Sequence, residues 1–301
     1  MIILILLLIL FIILIVVSKK CLDMVMYPIQ YDFKHTRQSD IDEGFGGYID
    51  DYDHKWNKRG FTLNVNGVAI KGDVINNDHP IDKKVAIFAH GHTANRISDL
   101  KYAGMFYEKG YHLVIFDERH FGNSTGDYCT LGQEEAKDLK EIYNYTKQIF
   151  GDDYKIVLQG ESMGAATSLL VLQYINPDCV VVDCPFADSE TLFKEFIKKN
   201  LHVPPSIIVF CVEIIAKIFY KYDIKKTSPI KAVKNSNVPI CFMHGDNDNL
   251  IDCHHSKDMY AVCLNKNSEI HLFKGSDHAR SVFDYRDEYK EIMFNFIENN
   301  L

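Results

Sequence analysis

Short apolar runs alternate with stretches of helical periodicity from Lys84 to the C-terminus, and this alternation constrains the fold more than any other feature. The runs lie at residues 85–89, 111–116, 156–158, 180–182, 240–243 and 270–273, and helices are predicted near 97–109, 133–150, 163–175, 254–264 and 285–299. Strands that are apolar on both faces are typical of a parallel sheet covered by helices. The sequence therefore predicts an α/β fold with a mostly parallel central sheet flanked by helices.

The chain is long enough for one large domain. With 301 residues and 47% apolar content it can bury a single core, which we place at residues 61–301 after a polar connector at 21–60. The domain should open with a hairpin over residues 61–75, because Asn66-Gly67 is a strong turn signal between alternating residues. Thr130 and Gln133 have the spacing of a capping box at the start of the helix over 133–150.

A long interval at residues 185–238 interrupts the strand rhythm. It contains two predicted helices, at 189–200 and 206–220, joined at Pro204-Pro205. We interpret it as a small helical cap inserted between two strands of the sheet. The run at 207–212 is apolar enough to suggest a second membrane span, but Glu213 and Lys217 interrupt it.

The N-terminus is apolar without interruption over residues 1–17 and is followed by Ser18, Lys19 and Lys20. Seventeen residues is the lower limit for a helix that crosses a bilayer. A cleaved signal peptide would have positive charge before the run and a small-x-small site after it, and neither is present. We predict a single transmembrane anchor at residues 1–20, against a signal peptide or a buried helix. The positive-inside tendency of the two lysines favours placing the domain that follows the anchor on the cytoplasmic face.

The charge distribution and the cysteine content argue against a nucleic-acid-binding protein, a disulfide scaffold and a zinc protein. The net charge of −8 is spread along the chain and no basic stripe is present, so nucleic acid is not an expected partner. Eight cysteines, several within apolar runs, are expected to be buried free thiols. His90/His92 and Cys253/His254/His255 are the only His/Cys groupings of interest, and they lack zinc spacing. We predict no metal and no cofactor, and the composition indicates no oligomeric state.

The candidate nucleophile is Ser162 in Gly160-Glu161-Ser162-Met163-Gly164, between a predicted strand and a predicted helix. In a sharp strand-to-helix turn the serine backbone is strained, and side chains at the two glycine positions would collide with neighbouring elements. A serine hydroxyl needs a base to take its proton and an acid to orient that base. The context predicts a catalytic serine rather than a glycine-lined helix start.

The acid and base should follow in that order along the chain. The loop after residues 240–243 contains Asp246, Asp248 and Asp252. Asp248 is favoured, because Asp246 directly follows a His-Gly turn and Asp252 lies close to the next helix. A calcium loop is disfavoured, since Leu250 falls where a ligand is needed. His278 is the predicted base, whereas His271 lies within a strand.

A tetrahedral intermediate needs two backbone N–H donors. Met163, the residue after the serine, should supply one, and His92 in the loop after residues 85–89 should supply the other. The imidazole of His92 is not expected to take part. The loop from Asp117 to Ser124 should brace the oxyanion loop.

From about residue 61 to the C-terminus the chain resembles the α/β-hydrolase superfamily, and particularly bacterial serine aminopeptidase-like and prolyl-oligopeptidase-like hydrolases with an N-terminal membrane segment. The resemblance is carried by the following residues: His90-Gly91, Asp117-x-Arg119 with Gly122 and Ser124, Gly160-x-Ser162-x-Gly164, His244-Gly245-x-x-Asp248 and His278. Many relatives have proline where this chain has Asp252, a departure that leaves Asp248 in place. The resemblance implies carboxylesterase, lipase-like or peptidase activity without a cofactor.

The leading functional hypothesis is a serine esterase that forms an acyl-enzyme on Ser162 with acyl or lipid-like esters. A peptidase or amidase using the same triad is one alternative, although no residue pair is evident for a charged substrate terminus. A non-catalytic binding protein on a hydrolase fold is another, but degraded triads usually mark such proteins. The expected partners are therefore a small acyl ester or peptide substrate and the membrane.

Overall fold

The computed structural model describes residues 1–201 and 204–301. Within those ranges eight strands form one sheet in the order β1-β2-β4-β3-β5-β6-β7-β8. The strands are β1 Asn57–Val65, β2 Val68–Asn76, β3 Lys84–Ala89, β4 His112–Asp117, β5 Lys155–Glu161, β6 Cys179–Asp183, β7 Ile240–Gly245 and β8 Glu269–Phe273. β1 and β2 are antiparallel to their neighbours, and the ladder from β4 through β3 to β8 is parallel. The predicted α/β class is confirmed.

Several helices cover the two faces of the sheet, and the described residues form twelve α-helices in all. They are α1 Ile2–Met26, α2 Phe33–Asp40, α3 Gly46–His54, α4 Leu100–Glu108, α5 Glu135–Phe150, α6 Met163–Leu170, α7 Ser189–Leu201, α8 Pro205–Tyr220, α9 Pro229–Lys234, α10 His254–Tyr260, α11 Ser281–Asp284 and α12 Arg286–Asn300. Two buried apolar clusters lie on opposite faces of the sheet, and a third joins α1, α6, α7 and α8. The third cluster is the one that borders the candidate active site.

The predicted hairpin is confirmed, and its turn follows from the residues that form it. Asn66 and Gly67 both have positive φ, 51° and 86°, as a type I′ turn requires. The helix start predicted at Gln133 is wrong by two residues. The carboxylate of Glu135 accepts from the backbone N–H groups of Thr130 and Gly132, so α5 begins at Glu135.

The N-terminal helix is longer than the predicted anchor. α1 continues to Met26 because the next helix-breaking residue is Pro28. Among the described residues it is the one helix long and apolar enough to cross a membrane. Its first part is exposed, whereas Leu22 and Met26 are fully buried against the catalytic domain. One helix therefore combines a lipid-compatible segment with a packed segment.

The predicted connector at residues 21–60 is helical over much of its length. It holds the end of α1, then α2 and α3, and Asp32 caps α2 by accepting from the backbone N–H of His35. Phe45 and Ile49 are buried in the core cluster that covers one face of the sheet. Their apolar side chains draw this segment onto the domain.

The interval predicted as a cap, residues 185–238, contains α7, α8 and α9. Residues 202 and 203, within the predicted joint between its first two helices, lie outside the described residues. Phe193 of α7 and Val212 of α8 are buried in the third apolar cluster, which Met163 also joins. The interval therefore packs beside the carboxyl end of β5, where Ser162 lies.

Candidate active site

Ser162 lies in the sharp turn between β5 and α6. Its φ of 54° is in a region that a non-glycine residue rarely adopts. The turn is possible because a Cβ on Gly160 would lie 2.4 Å from the carbonyl oxygen of Gly164, and one on Gly164 would lie 1.9 Å from that of Ala89. These contacts hold the serine at the carboxyl edge of the sheet, where α6 begins.

Three predicted side chains form one hydrogen-bonded line. Ser162 Oγ lies 2.9 Å from Nε2 of His278, and Nδ1 of His278 lies 2.7 Å from Oδ2 of Asp248. A carboxylate only accepts, so the Nδ1 proton of His278 faces Asp248 and the unprotonated Nε2 faces Ser162. This tautomer can receive the serine proton.

Asp248 is held by more than His278. Its Oδ1 accepts from the backbone N–H groups of Leu250 and Ile251, each at 2.8 Å, and its Oδ2 also lies 3.1 Å from Nε2 of His244. Burial by itself raises the pKa of Asp248, but the hydrogen bonds from His244 and His278 outweigh it and bring the pKa below its usual range. Asp248 is therefore ionised at neutral pH. His244 is a partner that sequence reasoning missed.

The charge on Asp248 acts in turn on the base. Burial by itself lowers the pKa of His278, but the hydrogen bond to Asp248 and the negative charges of Asp248, Glu161 and Asp183 raise it, so the pKa lies above the ordinary 6.5. The imidazolium that forms when His278 takes a proton is thereby stabilised.

The two alternative aspartates have other partners. Asp246 accepts from the backbone N–H of Gly275 at 2.6 Å, and Asp252 accepts from that of His254 at 2.8 Å. His271, on β8, lies 2.8 Å from Glu269. The structure brings Asp248 alone of the three loop aspartates to His278.

The loop after β3 lies against the nucleophile turn. A Cβ on Gly91 would be 3.6 Å from that of Ser162, and the lining of one cavity includes His92, Ser162 and Met163. Met163 is the first residue of α6, and the first N–H groups of a helix have no partner within it. The two predicted oxyanion donors thus lie at the same site as Ser162.

The side chain of His92 has a contact that the sequence did not indicate. Its Nε2 lies 2.9 Å from the carbonyl oxygen of Val25 in α1, and because a carbonyl only accepts, His92 donates. Burial lowers the pKa of His92, which favours this neutral donor. The N-terminal helix is thereby connected to the candidate oxyanion loop.

The loop after β4 braces the same region, as expected. Asp117 accepts from the backbone N–H of Arg96 at 2.9 Å and from that of Asn123 at 2.9 Å. His90 accepts from the backbone N–H of Glu118 at 3.0 Å, which ties the loop after β3 to the loop after β4. None of these groups needs to contact a substrate.

A buried ion pair lies behind the nucleophile turn. Nζ of Lys101 is 2.8 Å from Oε2 of Glu161, and the hydroxyl of Tyr102 donates to the same oxygen at 2.8 Å. Burial by itself raises the pKa of Glu161, but the charge and hydrogen bond of Lys101 outweigh it and lower the pKa. Glu161 directly precedes Ser162, so the ion pair between Lys101 and Glu161 holds the nucleophile turn in place. Sequence reasoning missed this ion pair because nothing in the sequence distinguishes Lys101 from a solvent-exposed lysine on a helix.

A cavity of about 240 Å³ opens in front of Ser162. Its walls come from α1, α7, the loops after β3, β4, β6 and β7, and the nucleophile turn. The lining residues are Cys21, Met24, Val25, His92, Leu131, Ser162, Met163, Phe186, Leu192, Phe193, Phe196, Leu250 and Ile251. None of these described residues is a lysine, arginine, aspartate or glutamate, so the cavity suits an apolar group.

Within residues 1–201 and 204–301, two groupings of potential metal ligands are present. Cys184, Asp248 and His278 form one, in which Asp248 and His278 already share a short hydrogen bond. In the other, Glu195, His254 and His255 come together. His255 Nδ1 accepts from the backbone N–H of Ala187, so the proton of this neutral ring lies on Nε2, the nitrogen that faces Glu195. That nitrogen therefore donates a hydrogen bond and is not free to ligate an ion.

Comparison with known proteins gives the same fold. An esterase of Pyrococcus furiosus has a TM-score of 0.68 at 22% identity, covering 83% of this chain and 95% of its own. An acylaminoacyl peptidase of Pyrococcus horikoshii has a TM-score of 0.65 at 18% identity, covering 85% and 43%. Such low identity shows the fold alone.

Sequence relatives include the uncharacterized protein YqkD of Bacillus subtilis, 26% identical over 77% of this chain and 76% of its own length. The lysophosphatidylserine lipase ABHD12 of Xenopus tropicalis is 23% identical over 72% of this chain, which spans about half of that protein (52%). The prolyl oligopeptidase family profile matches residues 105–301. Because this match takes in well over half of the sequence, the protein is an α/β hydrolase that belongs to the prolyl oligopeptidase family.

Proposed function

We propose that this protein is a serine hydrolase that cleaves carboxylic esters with apolar acyl groups through an acyl-enzyme on Ser162. One observation carries the proposal: the hydrogen-bonded line from Ser162 through His278 to Asp248 ends at a cavity with apolar walls. The line can activate a nucleophile, and the cavity can hold the acyl group beside it.

The reaction begins with attack of Ser162 Oγ on the acyl carbon. His278 Nε2 takes the hydroxyl proton as the new C–O bond forms, and Asp248 stabilises the resulting imidazolium. The carbonyl oxygen becomes an oxyanion, which the backbone N–H groups of Met163 and His92 bind. Collapse of this intermediate breaks the ester C–O bond, and His278 returns the proton to the leaving alcohol.

A water molecule completes the cycle. His278 takes one of its protons while the water oxygen attacks the acyl carbon, and the same two N–H groups bind the second oxyanion. Collapse releases the carboxylic acid and returns the proton to Ser162. No other reactant is required.

The lining of the cavity supports an acyl group over a charged substrate terminus. Phe193 and Phe196 of α7 and Leu131 provide apolar surface, and the polar groups belong to Ser162 and the neutral His92. Transfer of each methylene from water into such a site stabilises binding by about 0.8 kcal/mol. We also propose that residues 185–238 form a cap, since α7 supplies this wall.

We further propose that α1 is retained as a single-pass membrane anchor. Its last turns are buried in the domain, with Cys21, Leu22 and Met26 in the third apolar cluster, so its removal would expose that cluster. The catalytic domain is proposed to face the cytoplasm, on the grounds of Lys19 and Lys20 alone.

Peptide or amide hydrolysis is the second candidate. It is supported by the family, by the acylaminoacyl peptidase among the structures of the same fold, and by chemistry that the same triad can perform. The esterase and the lipase among the similar proteins support the first candidate.

A substrate panel separates the two. Full-length protein in detergent is assayed with p-nitrophenyl esters of increasing acyl length and with aminoacyl and N-acylaminoacyl p-nitroanilides, and Ser162→Ala is the control. We expect kcat/KM for the esters to rise about fourfold per methylene until the cavity is filled. Loss of ester hydrolysis in Ser162→Ala excludes a contaminating esterase.

Three results would contradict the proposal. Higher kcat/KM on the anilides would assign the protein to the peptidases. Undiminished activity in Ser162→Ala would remove the serine from the mechanism. A folded wild type with no activity on either series would favour a non-catalytic binding protein.

A further inference from the structure

One face of α8 is apolar and exposed. Ile207, Phe210, Ile214 and Ile218 follow one another at spacings of three and four residues and are 61%, 61%, 41% and 68% exposed. The opposite face, which includes Val212, is buried in the third apolar cluster. A helix that is apolar all round is buried in a core or in a membrane, and contiguous exposed apolar patches mark interaction sites.

The exposed face of α8 is continuous with α1. The hydroxyl of Ser18 donates to the carbonyl oxygen of Ile208 at 3.5 Å, and Lys19 Nζ lies 3.0 Å from the hydroxyl of Tyr220. Leu14 packs against the cluster that contains the buried face of α8. Together, the exposed residues 2–13 of α1 and the four named residues of α8 make one surface, which we call the α1–α8 surface.

The lengths of the helices place α8 at a membrane boundary. About 20 helical residues cross a hydrocarbon core of about 30 Å, so a span that begins at Ile2 ends near Cys21. α8 begins beside Ser18, within that span, and ends at Tyr220, whose hydroxyl lies 3.0 Å from Nζ of Lys19. Tyr27, Tyr128 and Tyr220 form an edge-on aromatic cluster at this far end, and tyrosine is typical of the headgroup level.

Charge around α8 fits an anionic lipid surface. Residues 185–238 contain nine lysines and five acidic residues, although the whole chain has a net charge of −8. Two of these lysines, Lys198 and Lys199, lie in the last turn of α7, and Lys221 follows α8 directly. Each basic residue near an anionic membrane surface adds about 1 kcal/mol of attraction.

The cavity lies at the same level of α1. Cys21, Met24 and Val25 form one of its walls, three to seven residues beyond Ser18. Met24 is 58% exposed and Leu250, another lining residue, is 61% exposed, so apolar side chains are present at its rim. An acyl chain can pass from a bilayer around α1 into this cavity along apolar surface.

We propose that the α1–α8 surface docks the catalytic domain on a phospholipid bilayer, and that the acyl chain of the substrate enters the cavity from that bilayer past Met24 and Leu250. The docking follows from the surface itself, and the entry route rests on the proposed ester hydrolase. α1 then serves both as an anchor and as a wall of the substrate site.

Docking is tested by lipid quenching of an introduced tryptophan. The protein has one tryptophan, Trp56, which is buried and gives a constant background. Phe210→Trp is compared with Leu264→Trp, since Leu264 is also exposed but lies outside the α1–α8 surface. Full-length variants are reconstituted in phosphatidylcholine–phosphatidylglycerol vesicles that contain brominated lipid. We expect strong quenching of the tryptophan at position 210 and none beyond background at position 264.

Equal quenching at the two positions would overturn docking. Protection of position 210 from quenching, together with dimers in chemical cross-linking, would assign the face to a second copy of the chain and also overturn it.

The entry route is tested by separating soluble from vesicle-borne substrate. Phe210→Gln/Ile218→Gln changes two residues that do not line the cavity, so we expect kcat/KM for soluble p-nitrophenyl acetate to be unchanged. Hydrolysis of a long-chain monoacyl ester in vesicles should fall about tenfold, because two apolar anchors are lost. An equal fall on both substrates, or on neither, would overturn the route. Failure of the wild type to cleave either ester would refute the proposed esterase, while the quenching result would still decide docking.

Discussion

Replacing Asp248 by asparagine tests the hydrogen-bonded line at its most informative point. The substitution keeps the size of the side chain and retains an oxygen for the backbone N–H groups of Leu250 and Ile251. An amide N–H₂ then faces His278 Nδ1, which must accept rather than donate. The proton moves to Nε2, so His278 can no longer receive the proton of Ser162.

The expected loss is large because it affects the base directly. When a triad aspartate is changed in this way, kcat falls by about 10⁴, which corresponds to about 5 kcal/mol of lost transition-state stabilisation. The loss of the charge also removes the largest of the interactions that raise the pKa of His278. KM should change little, since Asp248 does not line the cavity.

Asp252→Asn is the matched control. Asp252 lies in the same loop, but it accepts from the backbone N–H of His254 at the start of α10, and the amide oxygen of asparagine can accept the same hydrogen bond. Stopped-flow hydrolysis of a p-nitrophenyl ester gives kcat for wild type and both variants, and circular dichroism shows whether each is folded. Wild-type kcat in folded Asp248→Asn, or a loss of similar size in Asp252→Asn, would refute the assigned acid.

Three further predictions concern pH and stability. In wild type, kcat/KM for a neutral ester, measured from about pH 5 to 9, should rise with pH through one ionisation whose midpoint lies above 6.5. The reason is that His278 acts as a base only when neutral and that its pKa is raised. A midpoint below 6.5 would contradict this prediction. Lys101→Met leaves Glu161 buried without its ion pair and should lower the free energy of unfolding in urea by about 3–5 kcal/mol. Lys83→Met removes an exposed pair with Asp153 and should leave the free energy of unfolding nearly unchanged; an equally small effect of Lys101→Met would show that the buried pair is unimportant. Gly164→Ala should abolish stable folding or activity, because the added Cβ would meet the carbonyl oxygen of Ala89 at 1.9 Å. The control is Gly47→Ala, where a Cβ would have no atom within 4 Å, and it should be neutral or stabilising by up to about 1 kcal/mol in thermal unfolding. Tolerance of Gly164→Ala would refute the tight turn.

The sheet and the nucleophile turn could be predicted from the sequence because their signals are local. Buried parallel strands are short apolar runs, and the turn at Ser162 needs glycine at fixed positions on either side. Asp248 could be favoured over two neighbours by its place in the loop. The backbone N–H groups of Leu250 and Ile251 explain that preference physically, since they orient its carboxylate.

Contacts between distant segments could not be predicted. Val25 is 67 residues from His92, and Lys19 is 201 residues from Tyr220, yet both pairs connect α1 to the catalytic domain. No sequence periodicity indicates such contacts, because they depend on how helices and strands pack against one another in the folded protein. The sequence therefore indicated an anchor at residues 1–20 but not the wall that its extension forms.

Covalent labelling of Ser162 tests the central claim most directly. Full-length wild type and Ser162→Ala are treated with a fluorophosphonate and analysed by intact mass and peptide mapping, after circular dichroism has shown that both are folded. The proposed mechanism predicts one adduct on wild type, located on Ser162, and no adduct on Ser162→Ala. An unlabelled folded wild type, or an adduct that persists in Ser162→Ala, would contradict it.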